Sequence, residues 1–365
     1  MVHSPKRGPL DEQVVDTDTD TDIDIDSDED RTQLKYRRAT AASLSNRTPE
    51  EGEGEGEDED GEGDYGSYSI ASQAGIQPVY ENGRRYCNGT YFMPNDEAEQ
   101  TRLSIAHQAC LVMLDGGLTT APLPPHGPKR VLDIGTGPGD WAVEMGQLYP
   151  DADIIATDIG IFDGGPAILG LPNVHFQLDD AEEAWAYHEP FDLIHFRGLS
   201  GAFRDWHAVY EQAFKHLTPG GYIEVVESDP AANIVTSPNP DPHSYYNILA
   251  SAMRSAADSL GFPRSRDHME PSVLKSVGFV NIAVHDVTVP VGMWSQDPRE
   301  STLGKMVLIA CLEGLEARSL RQLTAIGKWT ADEVRDLCEK VKLETITSEG
   351  STMSVRFVTA RKPDL

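Results

Sequence analysis

The chain has 365 residues, and 60 acidic against 30 basic side chains give it a formal net charge of −30. This length allows one large domain or two medium ones with a substantial hydrophobic core. Phosphate groups repel so negative a chain, which argues against general nucleic-acid binding and against docking on an anionic membrane surface.

Much of this charge lies near the N-terminus. Residues 1–75 carry 21 acidic and 7 basic side chains, a net charge of −14. Their acidic runs, Asp16 to Asp30 and Glu50 to Asp64, hold too few apolar side chains to offset the entropy lost when a chain is ordered. We therefore predict a disordered acidic tail over 1–75. It serves solubility or, alternatively, docks a basic protein partner.

The sequence lacks three features that would place the protein outside the cell or in a membrane. The first ten residues lack the apolar core of a secretory signal, and no run of 18 apolar residues predicts a membrane helix. The four cysteines contain no C-x-x-C pair and no metal-ligand spacing, which predicts reduced thiols and no metal site. We expect a cytoplasmic protein. Short basic groups at Lys6-Arg7 and around Lys35 leave nuclear import as the alternative.

The first predicted element is a helix. Asp96 to Glu99 place acids in a first turn after Pro94 and Asn95, and apolar residues then recur at helical spacing to about Leu114. Residues 115–128 are rich in glycine and proline and predict a linker. We assign a helical preamble and linker to 76–127 and one domain to 128–365.

From Lys129 onward, short apolar runs alternate with helical stretches. We predict strands over 130–134, 153–157, 174–178, 191–196 and 222–227, with helices after the first strand to about 149 and over 206–217. This alternation predicts an α/β fold with a parallel sheet covered by helices on both faces. Further helices are predicted over 241–260, 270–277, 299–320 and 330–343, and further strands over 279–289 and 354–360.

The most informative stretch is the turn that follows the first of these strands, with Gly135, Gly137 and Gly139. Glycines let the backbone turn sharply and let a ligand approach closely. A dinucleotide fingerprint would need a third glycine where Asp140 stands, which disfavours NAD and FAD. The competing pattern has an acid two residues before G-x-G-x-G, here Asp133. Its carboxylate suits a ligand with an ammonium group at this position, such as S-adenosylmethionine.

Acidic residues also follow the next two strands. Asp158 is placed to accept hydrogen bonds from both ribose hydroxyls of such a ligand, and Asp180 from its adenine amino group. Asp179 competes with Asp180 for the adenine, and the neighbouring Ala181 completes the predicted cofactor-binding set. The alternative is that these acids only cap helices or turns.

Several stretches together resemble class I S-adenosylmethionine-dependent methyltransferases, most closely the fungal LaeA-like family. Besides the glycine turn, they are Gly83–Tyr86, Tyr91–Leu103, Phe191–Arg197, Leu217–Glu224, Pro290–Trp294 and Gly314–Ala317. The resemblance covers nearly everything after residue 76. It implies a Rossmann-like, seven-stranded, mostly parallel sheet of order 3-2-1-4-5-7-6 whose last strand is antiparallel. It also implies a helical insertion at 299–343 over the substrate side.

The same resemblance implies two functions, because the family includes biosynthetic enzymes and velvet-complex regulators of secondary metabolism. We predict an enzyme that methylates nitrogen or oxygen of a small secondary metabolite. The alternative is a nuclear regulator that acts through protein partners.

Transfer of a sulfonium methyl needs mainly positioning, and a base only when the acceptor is protonated. His195 and Arg197 end the fourth strand on one face and are the catalytic candidates. His195 would act as a base, and Arg197 would anchor an acidic substrate or the cofactor carboxylate. Their alternatives are a buried histidine and a structural ion pair. Glu227 and Asp229 border the same mouth, where a cap or loop role is expected.

Overall fold

The computed structural model describes residues 78–162, 170–228 and 243–364. The tail predicted over 1–75 and Asp229 lie outside these residues.

The described part begins with a short hairpin of β1 (Val79–Glu81) and β2 (Arg84–Tyr86). Asn82 and Gly83 form its turn with positive φ angles of 51° and 80°. Two consecutive positive φ angles are what a two-residue hairpin turn of this kind requires. The sequence analysis assigned no strand here, because three-residue strands are too short to show an alternating pattern.

The seven-stranded sheet consists of β3 (Arg130–Ile134), β4 (Asp153–Asp158), β5 (Val174–Leu178), β6 (Phe191–Arg197), β7 (Leu217–Ser228), β8 (Val280–Pro290) and β9 (Thr352–Arg361). The strands lie in the order β5-β4-β3-β6-β7-β9-β8. Only β9 runs against its neighbours, pairing antiparallel with both β7 and β8. Counted within the sheet, this is the predicted order 3-2-1-4-5-7-6, and the predicted fold class is confirmed.

Seven α-helices surround the sheet in the part of the chain that the structure describes. They are α1 (Glu97–Met113), α2 (Asp140–Leu148), α3 (Trp206–His216), α4 (Tyr245–Leu260), α5 (Pro271–Val277), α6 (Pro298–Ala325) and α7 (Ala331–Thr347). Asp96 caps α1 by accepting from the Glu99 backbone N–H, and Thr330 and Glu333 form a capping box at the start of α7. α6 is longer than predicted and continues to Ala325.

Each face of the sheet has its own core, as expected when a sheet is covered by helices on both sides. Leu132 and Phe196 pack on one face with Trp206 of α3, whereas Val131 and Leu193 pack on the other with residues of α2. A further cluster joins α1 and α6 to β7, β8 and β9 through residues that include Ala109, Val226, Val289, Val307 and Phe357. This cluster holds α1 and α6 beside the C-terminal end of β7.

None of the described helices is both long enough and apolar enough to span a bilayer.

Candidate functional site

A cavity of about 260 Å³ lies where the parallel strands β3, β4, β6 and β7 end. The carboxyl ends of parallel strands share one edge of an α/β sheet, which is where such folds bind ligands. A second space of about 100 Å³ is lined by the ends of β4 and β5. Tyr91, Gly135, Asp158 and Leu199 border both spaces, so the two are neighbouring parts of one cleft.

The turn between β3 and α2 forms one wall of this cleft. Gly135, Gly137 and Gly139 have positive φ angles of 67°, 59° and 90°. A Cβ on Gly135 would stand 2.4 Å from Leu199 Cδ2, whereas one on Gly137 would meet only Leu103 Cδ1 at 3.5 Å. At Gly137 it is therefore the backbone conformation, and not lack of space, that requires glycine. The turn presents its backbone to the cleft without side-chain interference.

Asp158 holds this turn in place. Its Oδ2 accepts a hydrogen bond from the Gly137 backbone N–H, and its Oδ1 accepts one from Gly160, each at 2.9 Å. Burial raises the pKa of Asp158 to about 6, although both backbone donors act to lower it. Each carboxylate oxygen can accept a second hydrogen bond, so Asp158 retains acceptor capacity toward a ligand.

Asp133 and His195 form a buried pair on adjacent strands. They are direct neighbours in the parallel register of β3 and β6, and Asp133 Oδ1 lies 2.8 Å from His195 Nδ1. The His195 ring stacks on Trp141 at a centroid distance of 3.8 Å and an interplanar angle of 4°. The Trp141 indole N–H in turn donates to the Leu118 carbonyl at 2.7 Å. Asp133 is therefore held in a fixed orientation.

A second carboxylate lies on the other side of His195. Glu224 Oε2 is 4.0 Å from His195 Nε2, while Glu224 Oε1 accepts from the backbone N–H and the hydroxyl of Thr120, each at 2.6 Å. The contact between Nδ1 and Asp133 fixes the orientation of the His195 ring and leaves Nε2 next to a buried acid. This geometry allows both a positioning role and a base role. Its predicted catalytic role stays a prediction.

Arg197 lines the same cavity two residues further along β6. No carboxylate of the described residues lies within ion-pair distance of its guanidinium. Its positive charge partly opposes the rise that burial produces in the pKa of Cys110, so the two side chains are close. The structural ion pair considered as its alternative role is therefore not formed among these residues.

The acids after β5 border the smaller part of the cleft. Asp180 Oδ1 accepts from the Glu182 backbone N–H at 2.9 Å, and Asp179 Oδ2 accepts from the Tyr187 hydroxyl at 3.3 Å. The Ala181 carbonyl accepts from the Trp185 indole N–H at 3.0 Å. Asp180 thus does stabilise a turn, as the alternative interpretation required, yet both acids remain at the cleft. The choice between them for adenine stays open.

Sequence reasoning missed several residues of the cleft. Thr136 Oγ1 and Ser200 Oγ are buried there, and neither has a hydrogen-bond partner within the described chain. Orphan polar atoms in a cavity suit the polar groups of a ligand. Single hydroxyl residues in loops are too common for any sequence signal to have singled them out.

Glu227, at the end of β7, is one of the most buried acids of the cleft at 2% exposure. It accepts a hydrogen bond from the Leu199 backbone N–H at 2.7 Å. Burial raises the pKa of Glu227 to about 8. The hydrogen bond from Leu199 is consistent with the predicted cap or loop role, whereas the burial of Glu227 could not be read from the sequence.

The cleft also meets the chemical needs of S-adenosylmethionine. Asp133 Oδ2 receives no hydrogen bond from any described residue, the glycine turn is open, and two hydroxyls lack partners. An acceptor oxygen at this place fits an ammonium group. Among the described residues, no three His, Cys, Asp or Glu side chains converge as they would around a metal ion.

Comparisons with known proteins agree with this geometry. A family model described as a methyltransferase domain matches residues 106–276. The chain is 35% identical over 294 residues to "Methyltransferase pytC" of Aspergillus terreus, which covers 78% of this chain and 88% of that protein. It is 33% identical over 297 residues to "Secondary metabolism regulator LAE1" of Cochliobolus heterostrophus, and the match covers 78% of this chain and 94% of that protein. It is 32% identical over 300 residues to "Protein-methionine methyltransferase laeA" of Emericella nidulans, and the match covers 78% of this chain and 76% of that protein.

Proposed function

The chain belongs to the LaeA-like family of S-adenosylmethionine-dependent methyltransferases of fungal secondary metabolism, and from this premise we propose that it methylates nitrogen or oxygen of a small molecule. The acceptor would lie in the larger part of the cleft, beside the cofactor. The bound cofactor would supply an activated methyl group on its sulfonium centre.

The cofactor-binding residues in this proposal are those that border the cleft. Asp133 accepts from the ammonium group of the cofactor through Oδ2, and the glycine turn from Gly135 to Gly139 lies along its amino-acid part. Asp158 accepts from the ribose hydroxyls, and Asp179 or Asp180, with Ala181, contacts the adenine. The open acceptor atoms and the fixed orientation of Asp133 support this assignment.

One observation carries the choice of a small acceptor, namely the apolar wall beyond the glycine turn. α1, α6, β7 and β9 supply it through Met113, Val226, Val307, Ala310, Met353 and Val355. Ligand sites for small molecules are concave and mostly apolar, with a few polar groups that fix orientation. An acceptor held there is positioned for in-line attack on the methyl group, which is worth roughly 7–11 kcal/mol at best.

Glu227 is the best-matched proton acceptor in this proposal. It lines the cavity, and its pKa of about 8 leaves a minor ionised fraction at neutral pH, which would be the form that acts as a general base. The acceptor's O–H or N–H proton would pass to this ionised carboxylate as the acceptor atom takes the methyl group and the methyl–sulfur bond breaks. His195 would act as a positioning residue for Asp133.

A labelling experiment tests the proposed acceptor class. The protein is incubated with methyl-tritiated S-adenosylmethionine and an extract of its source organism, and the products are separated by ultrafiltration. We expect label in the small-molecule fraction with wild type and none with Gly137→Val. Label that remains only with protein would contradict a small-molecule acceptor.

The names of two relatives favour a second candidate, a nuclear regulator that modifies or binds proteins. Metabolite profiling of a deletion strain separates the two candidates. Accumulation of one unmethylated precursor supports the biosynthetic enzyme in the cytoplasm. Loss of many unrelated metabolites supports the regulator.

A further inference from the structure

Two arginines in the wall of the larger cavity have no acidic partner among the residues that the structure describes. Arg264 precedes α5, and Arg318 belongs to α6. Arg264 is buried; its Nη1 donates to Gln322 Oε1 at 3.0 Å, and its guanidinium lies 5.1 Å from the Phe92 ring centroid. Arg318 makes one long hydrogen bond of 3.4 Å, to the Cys311 carbonyl. Within the described chain, no carboxylate forms an ion pair with either guanidinium.

The acids nearby offset these two charges only in part. Glu99 is already engaged by Arg102 in a two-point ion pair, at 2.8 and 2.6 Å. Glu227 is mostly protonated at neutral pH, because burial raises its pKa to about 8. Desolvation and the neighbouring Arg318 lower the pKa of Arg264 to about 10, and desolvation and Arg102 lower that of Arg318. The wall therefore carries two desolvated positive charges, which is costly unless an anion accompanies them.

Arg321, a structural arginine in the same region, has a different set of contacts. Arg321, one turn further along α6, pairs with Glu81 at 2.9 Å and donates to the carbonyls of Asn88 and Tyr91. All of its contacts are internal to the fold. Arg264 and Arg318 instead both line the larger cavity and a small neighbouring one, where side chains that contact a ligand lie.

Two glycines make room for these guanidinium groups. A Cβ on Gly314, in the interior of α6, would stand 2.3 Å from Arg318 Nη2, and one on Gly201 would stand 2.9 Å from Arg264 Cγ. Glycine is a poor residue for a helix interior, so its presence at 314 requires a reason. Space for the Arg318 guanidinium supplies that reason. The stretch Gly314–Ala317 is also one of those that carry the family resemblance.

We propose that Arg264 and Arg318 together bind a carboxylate group of the methyl acceptor, an assignment that rests on the methyl transfer proposed above. The planar guanidinium donates two parallel hydrogen bonds to a carboxylate, and a second arginine doubles the charge that the anion meets. The acceptor would then combine a largely apolar body with an acidic substituent. The cofactor also has a carboxylate, so the experiment must distinguish the two sources.

Calorimetric titrations with a matched pair of probes test the acceptor site. 2-Naphthoate and its neutral analogue 2-naphthamide are titrated into protein saturated with S-adenosylhomocysteine. We expect naphthoate to bind wild type at least about tenfold more tightly than naphthamide, and Arg264→Gln or Arg318→Gln each to remove about that preference. Arg361→Gln, at a half-buried position on β9 away from the cavity lining, serves as the matched control and should leave this preference unchanged. Equal affinity of wild type for the two probes would overturn the proposal.

A second arm tests the cofactor as the source of the carboxylate. 5′-Methylthioadenosine lacks the amino-acid part of S-adenosylhomocysteine. We expect both arginine variants to bind these two nucleosides as wild type does. A variant that binds S-adenosylhomocysteine more weakly but methylthioadenosine normally would assign the arginines to the cofactor and overturn the proposal. If wild type binds no S-adenosylhomocysteine, the proposed function fails, and the naphthoate comparison without cofactor still tests the arginines.

Gly314→Ala provides a second test of Arg318 if Arg318→Gln does not fold. The added methyl group displaces the flexible end of Arg318, retains its charge and improves the helix. We expect the melting temperature not to fall while naphthoate affinity decreases. Unchanged naphthoate affinity in this variant would contradict the proposed role of the Arg318 guanidinium at this position.

Discussion

Glu227 is a carboxyl group whose protonation is coupled to folding. Its pKa rises from 4.5 to about 8 through burial, although Arg264 and Arg266 partly oppose the rise. The folded state therefore binds this proton more tightly than the unfolded chain does. Stability is favoured below pH 4.5 and is lost as the pH rises through 8, which is the reverse of an acid held by a salt bridge.

Glu227→Gln should remove this penalty while the amide oxygen still accepts from Leu199. At about pH 8.5 we expect the variant to be more stable than wild type by a few kcal/mol, with the difference closing toward acidic pH. Scanning calorimetry across this range provides the measurement. Parallel stability curves for the two proteins would show that Glu227 does not titrate in this way. If Glu227 is also the proton acceptor, the variant loses turnover while cofactor affinity is retained.

Asp158 links pH to the shape of the glycine turn. Its carboxylate accepts from Gly137 and Gly160, and its pKa of about 6 lies near physiological pH. Protonation below that pKa weakens both hydrogen bonds and the proposed contacts to ribose, even though the neutral form is itself easier to bury. We expect the affinity for S-adenosylhomocysteine to fall as the pH is lowered from about 7.5 to about 5. Asp158→Asn should bind weakly at both pH values, and a wild-type affinity independent of pH would contradict this role.

At the scale of elements, Arg321 connects α6 to the hairpin and the loop that follows it. Besides its bonds to Glu81, Asn88 and Tyr91, its guanidinium lies 3.9 Å from the Tyr86 ring centroid. Tyr91 borders both parts of the cleft. Arg321 therefore ties the N-terminal segment to α6 beside the cleft, and Arg335 of α7 adds a bond to the Asn82 carbonyl.

Arg321→Ala should destabilise the protein by about 2–4 kcal/mol, because it removes a buried guanidinium together with its bonds to Glu81, Asn88 and Tyr91. We also expect weaker binding of S-adenosylhomocysteine. The matched control is Arg299→Ala, at the exposed start of the same helix, where Arg299 pairs with Asp115. A surface pair of this kind is worth at most about 1 kcal/mol. Equal melting temperatures for the two variants would argue against the proposed link.

The same elements show how far the sequence predicts the structure. The strands of the sheet could be located because their apolar runs are bounded by turn residues, and the topology followed from the family resemblance. The hairpin at 79–86 could not be located, since strands of three residues are too short to show an alternation of apolar and polar side chains. The acids predicted to bind the cofactor could be placed at the cleft because each lies at the end of a strand or directly after it. Arg264 and Arg318 were missed because their significance is the absence of a partner, which only tertiary contacts reveal.

For the whole molecule, the uneven charge predicts two parts with different roles. Residues 1–75 carry −14 of the net charge of −30, and the remaining −16 is spread over a much longer stretch. We expect deletion of 1–75 to leave the melting temperature and the affinity for S-adenosylhomocysteine near their wild-type values, because so acidic a segment holds too few apolar side chains to contribute to a core. Differential scanning fluorimetry and calorimetry check this. A large loss of either quantity would show that the tail is structural.

We propose that the turn from Gly135 to Gly139 forms a cofactor site. The most direct measurement is calorimetric titration of S-adenosylhomocysteine into wild type, Gly137→Val and Gly327→Val. Both substitutions place a β-branched residue at a positive φ, 59° and 67°, but Gly327 lies in an exposed loop. We predict one bound molecule per chain for wild type and for Gly327→Val, and no detectable binding for Gly137→Val. Undiminished binding by Gly137→Val would contradict the site.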